Sequence, residues 1–135
     1  MLRVFESVNN LLLTAGIATA LLLATGLVDA QEGAIADNSV EAELAKRIET
    51  GRGVFETRRK GNCLSCHLVI GSELPGNAGP PLIGMQARWP DREALKAQIY
   101  DPTLRNPDTI MPPYGLHRML TDEELDVLVD YVLSL

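Results

Sequence analysis

Five consecutive residues bring two thiols and an imidazole together: Cys63-Leu64-Ser65-Cys66-His67. Cys-x-x-Cys-His is the attachment signature of c-type haem, in which the thiols add to the porphyrin vinyl groups and the adjacent imidazole is aimed at the iron. The spacing has a geometric reason. One helical turn presents both sulfurs to one ring edge, while His67, next in sequence, turns under the face. Other chemistries of these residue types each lack a component. A zinc site wants four ligands, and beyond Cys63, Cys66 and His67 only His117 remains, with no second Cys-x-x-Cys. A thioredoxin-like dithiol wants a βαβ context, which is absent. A Cys63–Cys66 disulfide closes too small a loop to stabilise much. The expectation is one covalent haem c, attached through Cys63 and Cys66, with His67 on the iron.

The second axial ligand is expected from Met85, Met111, Met119 or His117. Met111 is favoured. It lies in Asn106-Pro107-Asp108-Thr109-Ile110-Met111-Pro112-Pro113-Tyr114, a segment stiffened by prolines that can project a thioether without competing for helix hydrogen bonds. A methionine is more often core filling than a ligand, but this one sits in a rigid polar loop rather than on an apolar stripe, and Met/His ligation is known for such haems. His117 is the alternative donor, or else a surface imidazole. The outer nitrogen of His67 needs an acceptor that fixes its tautomer, and the Pro80 carbonyl is the candidate, although the prolines there also simply stiffen the loop. Arg58, Arg59 and Lys60, just before the motif, offer a positive collar for docking or a favourable helix C-terminus. Arg88, Trp89 and Tyr114 are candidate hydrogen-bond partners for haem propionates.

These groups must be positioned by helices. Val40, Leu44, Ile48, Gly51 and Phe55 recur at helical spacing and predict a helix over about Ser39 to Arg59. Gly51 and Gly53 within it each cost roughly 1 kcal/mol against Ala, so either the helix breaks there or, as is favoured, another backbone approaches closely, with Tyr131 resting against one of them. Thr121-Asp122-Glu123-Glu124 is a capping box opening a terminal helix whose stripe is Leu125, Leu128, Val129 and Val132. A short helix from Asp91 to about Tyr100 stops before Pro102. All eight prolines lie between positions 75 and 113, so the centre is expected to be loop. No segment alternates as a strand does. The fold class expected is all-α, with loops wrapped around a cofactor that supplies the core a short chain otherwise lacks.

The 135 residues amount to one domain at most. A net charge of −6 argues against nucleic acid as a partner. The apolar run 11–28, with Arg3 before it and Val28-Asp29-Ala30 at its end, predicts a signal peptide over 1–30 or, uncleaved, an anchor. Without the anchor no membrane contact is expected. A leader over 31–38 and a domain over 39–135 would follow, facing an oxidising, non-cytoplasmic compartment.

GRGVF at 51–55, GNCLSCH at 61–67, GPPL at 79–82, TIMPPYG at 109–115 and the Leu/Val/Tyr terminal helix resemble class I cytochromes c. LPGNAGPPLIGMQARWPD at 74–91, QIYDPTLRNPDTIMPPYGLHRML at 98–120 and DVLVDYVLSL at 126–135 are similar to the SoxX family, the monohaem subunits of sulfur-oxidising SoxAX cytochromes. The resemblance implies a class I cytochrome c-like fold with crossing terminal helices and one covalent haem. It also implies a heterodimer with SoxA that conjugates thiosulfate oxidatively to a cysteine of the SoxYZ carrier, a thiosulfotransferase activity. The catalytic haem is then expected on SoxA, and this chain accepts electrons for a downstream acceptor cytochrome. Consistent with that division, thioether formation leaves no free thiol here to act as nucleophile. Without the family, the residues read as a secreted electron-transfer protein, equally compatible with a freely diffusing carrier.

Overall fold

A computed structural model describes residues 38–135. The expected signal peptide 1–30 and, but for Asn38, the leader 31–38 lie outside the described residues. Residues Glu43–Leu135 form one compact unit. Among the described residues no helix is long and apolar enough to cross a membrane, and every regular element is helical.

Helix α1 covers 38–56. It stops three residues short of the expected Arg59, because Lys60 and Asn62 both turn back to donate to the Thr57 carbonyl and Gly61 donates to that of Val54 at 3.0 Å. Leu44 on its apolar stripe is exposed, and packing begins at the half-buried Ile48 and becomes complete at Phe55. Helix α2 is a single turn, Met85–Arg88, inside the region expected to be loop. Its start is set by Gly84, whose φ of 60° is left-handed, and whose amide donates to the Leu135 carbonyl at 2.9 Å. Helix α3 runs Arg92–Tyr100, capped by the Asp91 carboxylate, which accepts from the Glu93 and Ala94 amides. Helix α4 runs Asp122–Leu133 behind a complete capping box, with Thr121 accepting from the Glu124 amide and Glu124 accepting in return.

The stripe Leu125, Leu128, Val129 and Val132 of α4 is buried against Leu95 and Ile99 of α3 and Val54 and Phe55 of α1. Helix α1 meets α4 at Gly51, where an added Cβ would overlap the Val127 carbonyl and stand 2.9 Å from Tyr131 Cβ. The expectation for Gly53 is corrected: a Cβ there would meet nothing within 4 Å. It lies on the outer face of the helix, away from the junction. One turn further along α1, the Phe55 and Tyr131 rings meet edge to face with centroids 5.2 Å apart. Polar anchors rim this junction. Asp130 of α4 accepts from Arg47 of α1 at 2.7 Å and from Arg92 of α3 at 2.9 Å, while Asp126 is paired with Lys96 at 2.9 Å. Opposing demands on Arg92 resolve in favour of its charge. Burial disfavours the cation, but hydrogen bonds to Asp130, Asp126 and Glu93 raise its pKa.

Candidate haem site

The motif folds as a tight 3-10 turn over Cys63–Ser65, entered through Asn62 in the left-handed region at φ 48°. The Cys66 and His67 amides both donate to the Cys63 carbonyl, at 3.1 and 2.9 Å, and this winding brings the two sulfurs round to the same side as the imidazole. Burial pushes the Cys63 thiol up to about 12. It is therefore a protonated thiol near neutrality, the opposite of the activated thiolate that dithiol redox chemistry needs. Among the described residues no cluster of three or more His, Cys, Asp or Glu is arranged to hold a metal ion.

The segment after the motif lies back along it. Gly76 donates to the Leu64 carbonyl at 2.7 Å, Gly79 to Cys66 at 2.8 Å and Leu82 to Leu68 at 2.8 Å. At Gly79 the backbone passes directly over the imidazole, since a Cβ there would stand 2.7 Å from His67 Nδ1 and 2.9 Å from Nε2. The same nitrogen, Nδ1, is 2.8 Å from the Pro80 carbonyl oxygen. That carbonyl can only accept, so Nδ1 donates to it, and the neutral ring then keeps its lone pair on Nε2. Arg88 braces the next residue, donating to the Pro81 carbonyl at 2.7 Å.

Cys63, Cys66 and His67 line a mostly apolar cavity of about 450 Å³, and Met111 lines it too. Its remaining walls include Phe55, Leu82, Met85, Leu95, Ile99 and Leu128, so its floor is the helical core. That volume falls within the range of cofactor pockets. The donor set also fits a covalent haem: two thiols beside one imidazole, a thioether in the same cavity, and a glycine seat that leaves the ring room to lie flat.

Of the other ligand candidates, Met85 lines the cavity from α2, where it is buried and its sulfur already accepts from Arg88 at 3.5 Å. Met119 and His117 are exposed and outside the cavity lining. Within the positive collar, Lys60 pairs at the surface with Glu124 of α4. Arg58 and Arg59 remain exposed. Arg88 and Trp89 line the cavity, with Arg105 stacked 4.7 Å from the Trp89 ring centroid. Tyr114 lines it as well, but its hydroxyl proton goes to the Gly61 carbonyl at 2.6 Å, which removes it as a donor to propionates. The sequence named Met85 and Arg88 as candidates, but neither the helical turn α2 that carries them nor Gly79 as part of the site was legible in it. The GPPL spacing pointed to the loop, without indicating that the glycine carries the ring.

The chain is 35% identical over 95 residues to an uncharacterized lipoprotein of Aquifex aeolicus (strain VF5), a match covering 67% of this chain and 45% of that protein. The chain thus spans about half the length of that relative. Its fold is similar to the crystal structure of SoxXA from P. pantotrophus, with a TM-score of 0.57 and 22% identity over 64% of this chain and 79% of that one. At that identity the likeness is one of fold alone. The family model described as cytochrome C oxidase, cbb3-type, subunit III matches residues 46–132, so the chain belongs to this cytochrome c family, whose membership implies a covalently bound haem c.

Proposed function

We propose that the chain is a monohaem electron-transfer subunit, exported to the periplasm, that accepts electrons from a SoxA-type partner as thiosulfate is conjugated to a carrier cysteine of SoxYZ. The observation behind it is the cavity in which both motif thiols, His67 and Met111 stand together. The bound haem supplies one-electron exchange between ferrous and ferric iron. The chain's own residues do the rest. Cys63 and Cys66 would tether the ring by thioether bonds, and the Pro80 carbonyl, which accepts from Nδ1 of His67, would leave Nε2 as the donor to iron. Met111 would supply the second donor to the iron, and a thioether there would favour the ferrous state and raise the potential, as an acceptor requires.

The Sox assignment is supported by the sequence resemblance over 74–91, 98–120 and 126–135 and by the likeness of fold to SoxXA. The family description favours a second reading, an electron-transfer subunit of a terminal oxidase. Purification from a native extract, with haem quantitation after denaturation, separates the possibilities. One covalent haem per chain and a co-purifying SoxA-type cytochrome are expected. Co-purification with oxidase subunits supports the second reading, and a monomer at every concentration supports a free carrier. Unmodified thiols in the mature protein would overturn all three.

A further inference from the structure

The loop that carries Met111 is built almost entirely on itself. Thr109 donates to the Asn106 carbonyl at 3.1 Å, Asp108 to Asn106 Oδ1 at 3.2 Å, and Met111 to Thr109 Oγ1 at 3.1 Å. Among the described residues, 106–113 make no hydrogen bond to a distant part of the chain. The first such bonds after Met111 are at Tyr114, and they run in two directions. Its amide donates to the Ile99 carbonyl at 3.3 Å at the end of α3, and its buried hydroxyl donates to Gly61 at 2.6 Å, on the residue that opens GNCLSCH. Gly61 is itself locked, since a Cβ there would stand 2.9 Å from both Cys63 Sγ and the Val54 carbonyl oxygen. Between Met111 and Tyr114 stand only Pro112 and Pro113, whose fixed φ makes the link stiff.

We propose that Tyr114 is a positioning residue, a strap whose hydroxyl bond to Gly61 ties the Met111 loop to the Cys63 turn and keeps the thioether at the cavity. The proposal rests on the reading of Met111 as axial ligand. Tyr114 ends the loop, so an opening that carries Tyr114 with it breaks the Tyr114–Gly61 bond, and the bond stabilises the closed form against that motion. Its deletion leaves a buried carbonyl without a partner whenever the loop is closed. The phenolic proton is well suited to a permanent tie, because burial, the largest cause, pushes the Tyr114 pKa up to about 12.

The test is Tyr114→Phe in the ferric holoprotein, titrated with imidazole as a competitor for the methionine's position. Haem content should be unchanged and the thioether-to-iron charge-transfer band present, while imidazole should displace it at about ten-fold lower concentration. A merely structural role would lower the melting temperature and leave imidazole affinity at the wild-type value, and that result would overturn the strap. Met111→Ala run alongside separates the two claims. If that variant keeps the band, the ligand reading fails and this proposal with it. If it loses the band while Tyr114→Phe titrates like wild type, only the strap fails. Should Tyr114→Phe not fold, 3,5-difluorotyrosine placed at 114 keeps the ring and strengthens the donor. Imidazole should then bind more weakly than to wild type, and unchanged binding refutes the proposal.

Discussion

The two ends of the cavity are built by opposite means. On the His67 side the functional atoms are neighbours in sequence, and the turn that presents them is closed by amides of Cys66 and His67 donating to Cys63. On the Met111 side a loop more than forty residues later is held by Ile99, Tyr100 and Gly61, contacts that are distant in the chain. Local construction makes one wall intrinsically rigid. The other owes its position to the tertiary fold, and loops of that kind draw on the lower end of local stability. Exchange at the iron should therefore begin on the methionine side.

The sharpest way to break the contrast is to remove the tether on which both walls depend. The Cys63→Ala, Cys66→Ala double variant should give unfolded or degraded apoprotein, because about 450 Å³ of apolar cavity is left with nothing to fill it. Far-ultraviolet circular dichroism and thermal melting check this. A folded double variant with a cooperative melt would mean that the helices suffice alone.

Met111→Ala should spare the fold and act on the iron alone. The thioether-to-ferric-iron charge-transfer band should vanish completely and the potential should fall, since the ligand that favours ferrous iron is gone. Voltammetry and visible spectra of the ferric protein check it. A retained band would shift the ligand to Met85, the other methionine lining the cavity.

What was legible in the sequence follows the same division. The haem motif and the Thr121 capping box of α4 depend on residues within four positions of one another, and their spacing declares them, as Pro102 declares the end of the short helix α3. The end of α1, the single turn α2 and the seat at Gly79 were hidden because each is imposed from elsewhere. Gly61 folds back onto Val54, Gly84 is tied to Leu135, and Gly79 is pressed against an imidazole twelve residues away. Lys60 illustrates the same limit: its charge suggested a docking collar, but Glu124 on the distant α4 lies within reach.

The α1–α4 junction lies behind the cavity and tests whether glycines of the same helix are equivalent. Gly51→Ala forces a Cβ into the Val127 backbone and should cost about 1–3 kcal/mol, read as a lowered midpoint in urea. Gly53→Ala meets nothing within 4 Å and should stabilise by about 0.5–1 kcal/mol through helix propensity alone. Equal effects would show that α1 does not pack on α4 as described.

The smallest expected effect concerns acid. Lys60 holds the Glu124 carboxyl below its usual value, aided by the Thr121 amide, and Lys96, then Arg92, does the same for Asp126. Because the folded-state values are depressed, their contribution to stability is complete above the unfolded carboxylate range, near pH 4, and is lost as pH falls through the lower folded values. Both groups are solvent-accessible, so the sum should be below about 1 kcal/mol. The melting temperature of the holoprotein should decline gently from about pH 4 downward, and Lys60→Ala together with Lys96→Ala should flatten that decline while lowering the plateau at neutral pH. These two pairs join α4 to the segment before the motif and to α3, and neither touches the Met111 loop. The band from methionine ligation should therefore respond to acid identically in the double variant and the wild type, which separates loosening of the helices from loosening of the loop.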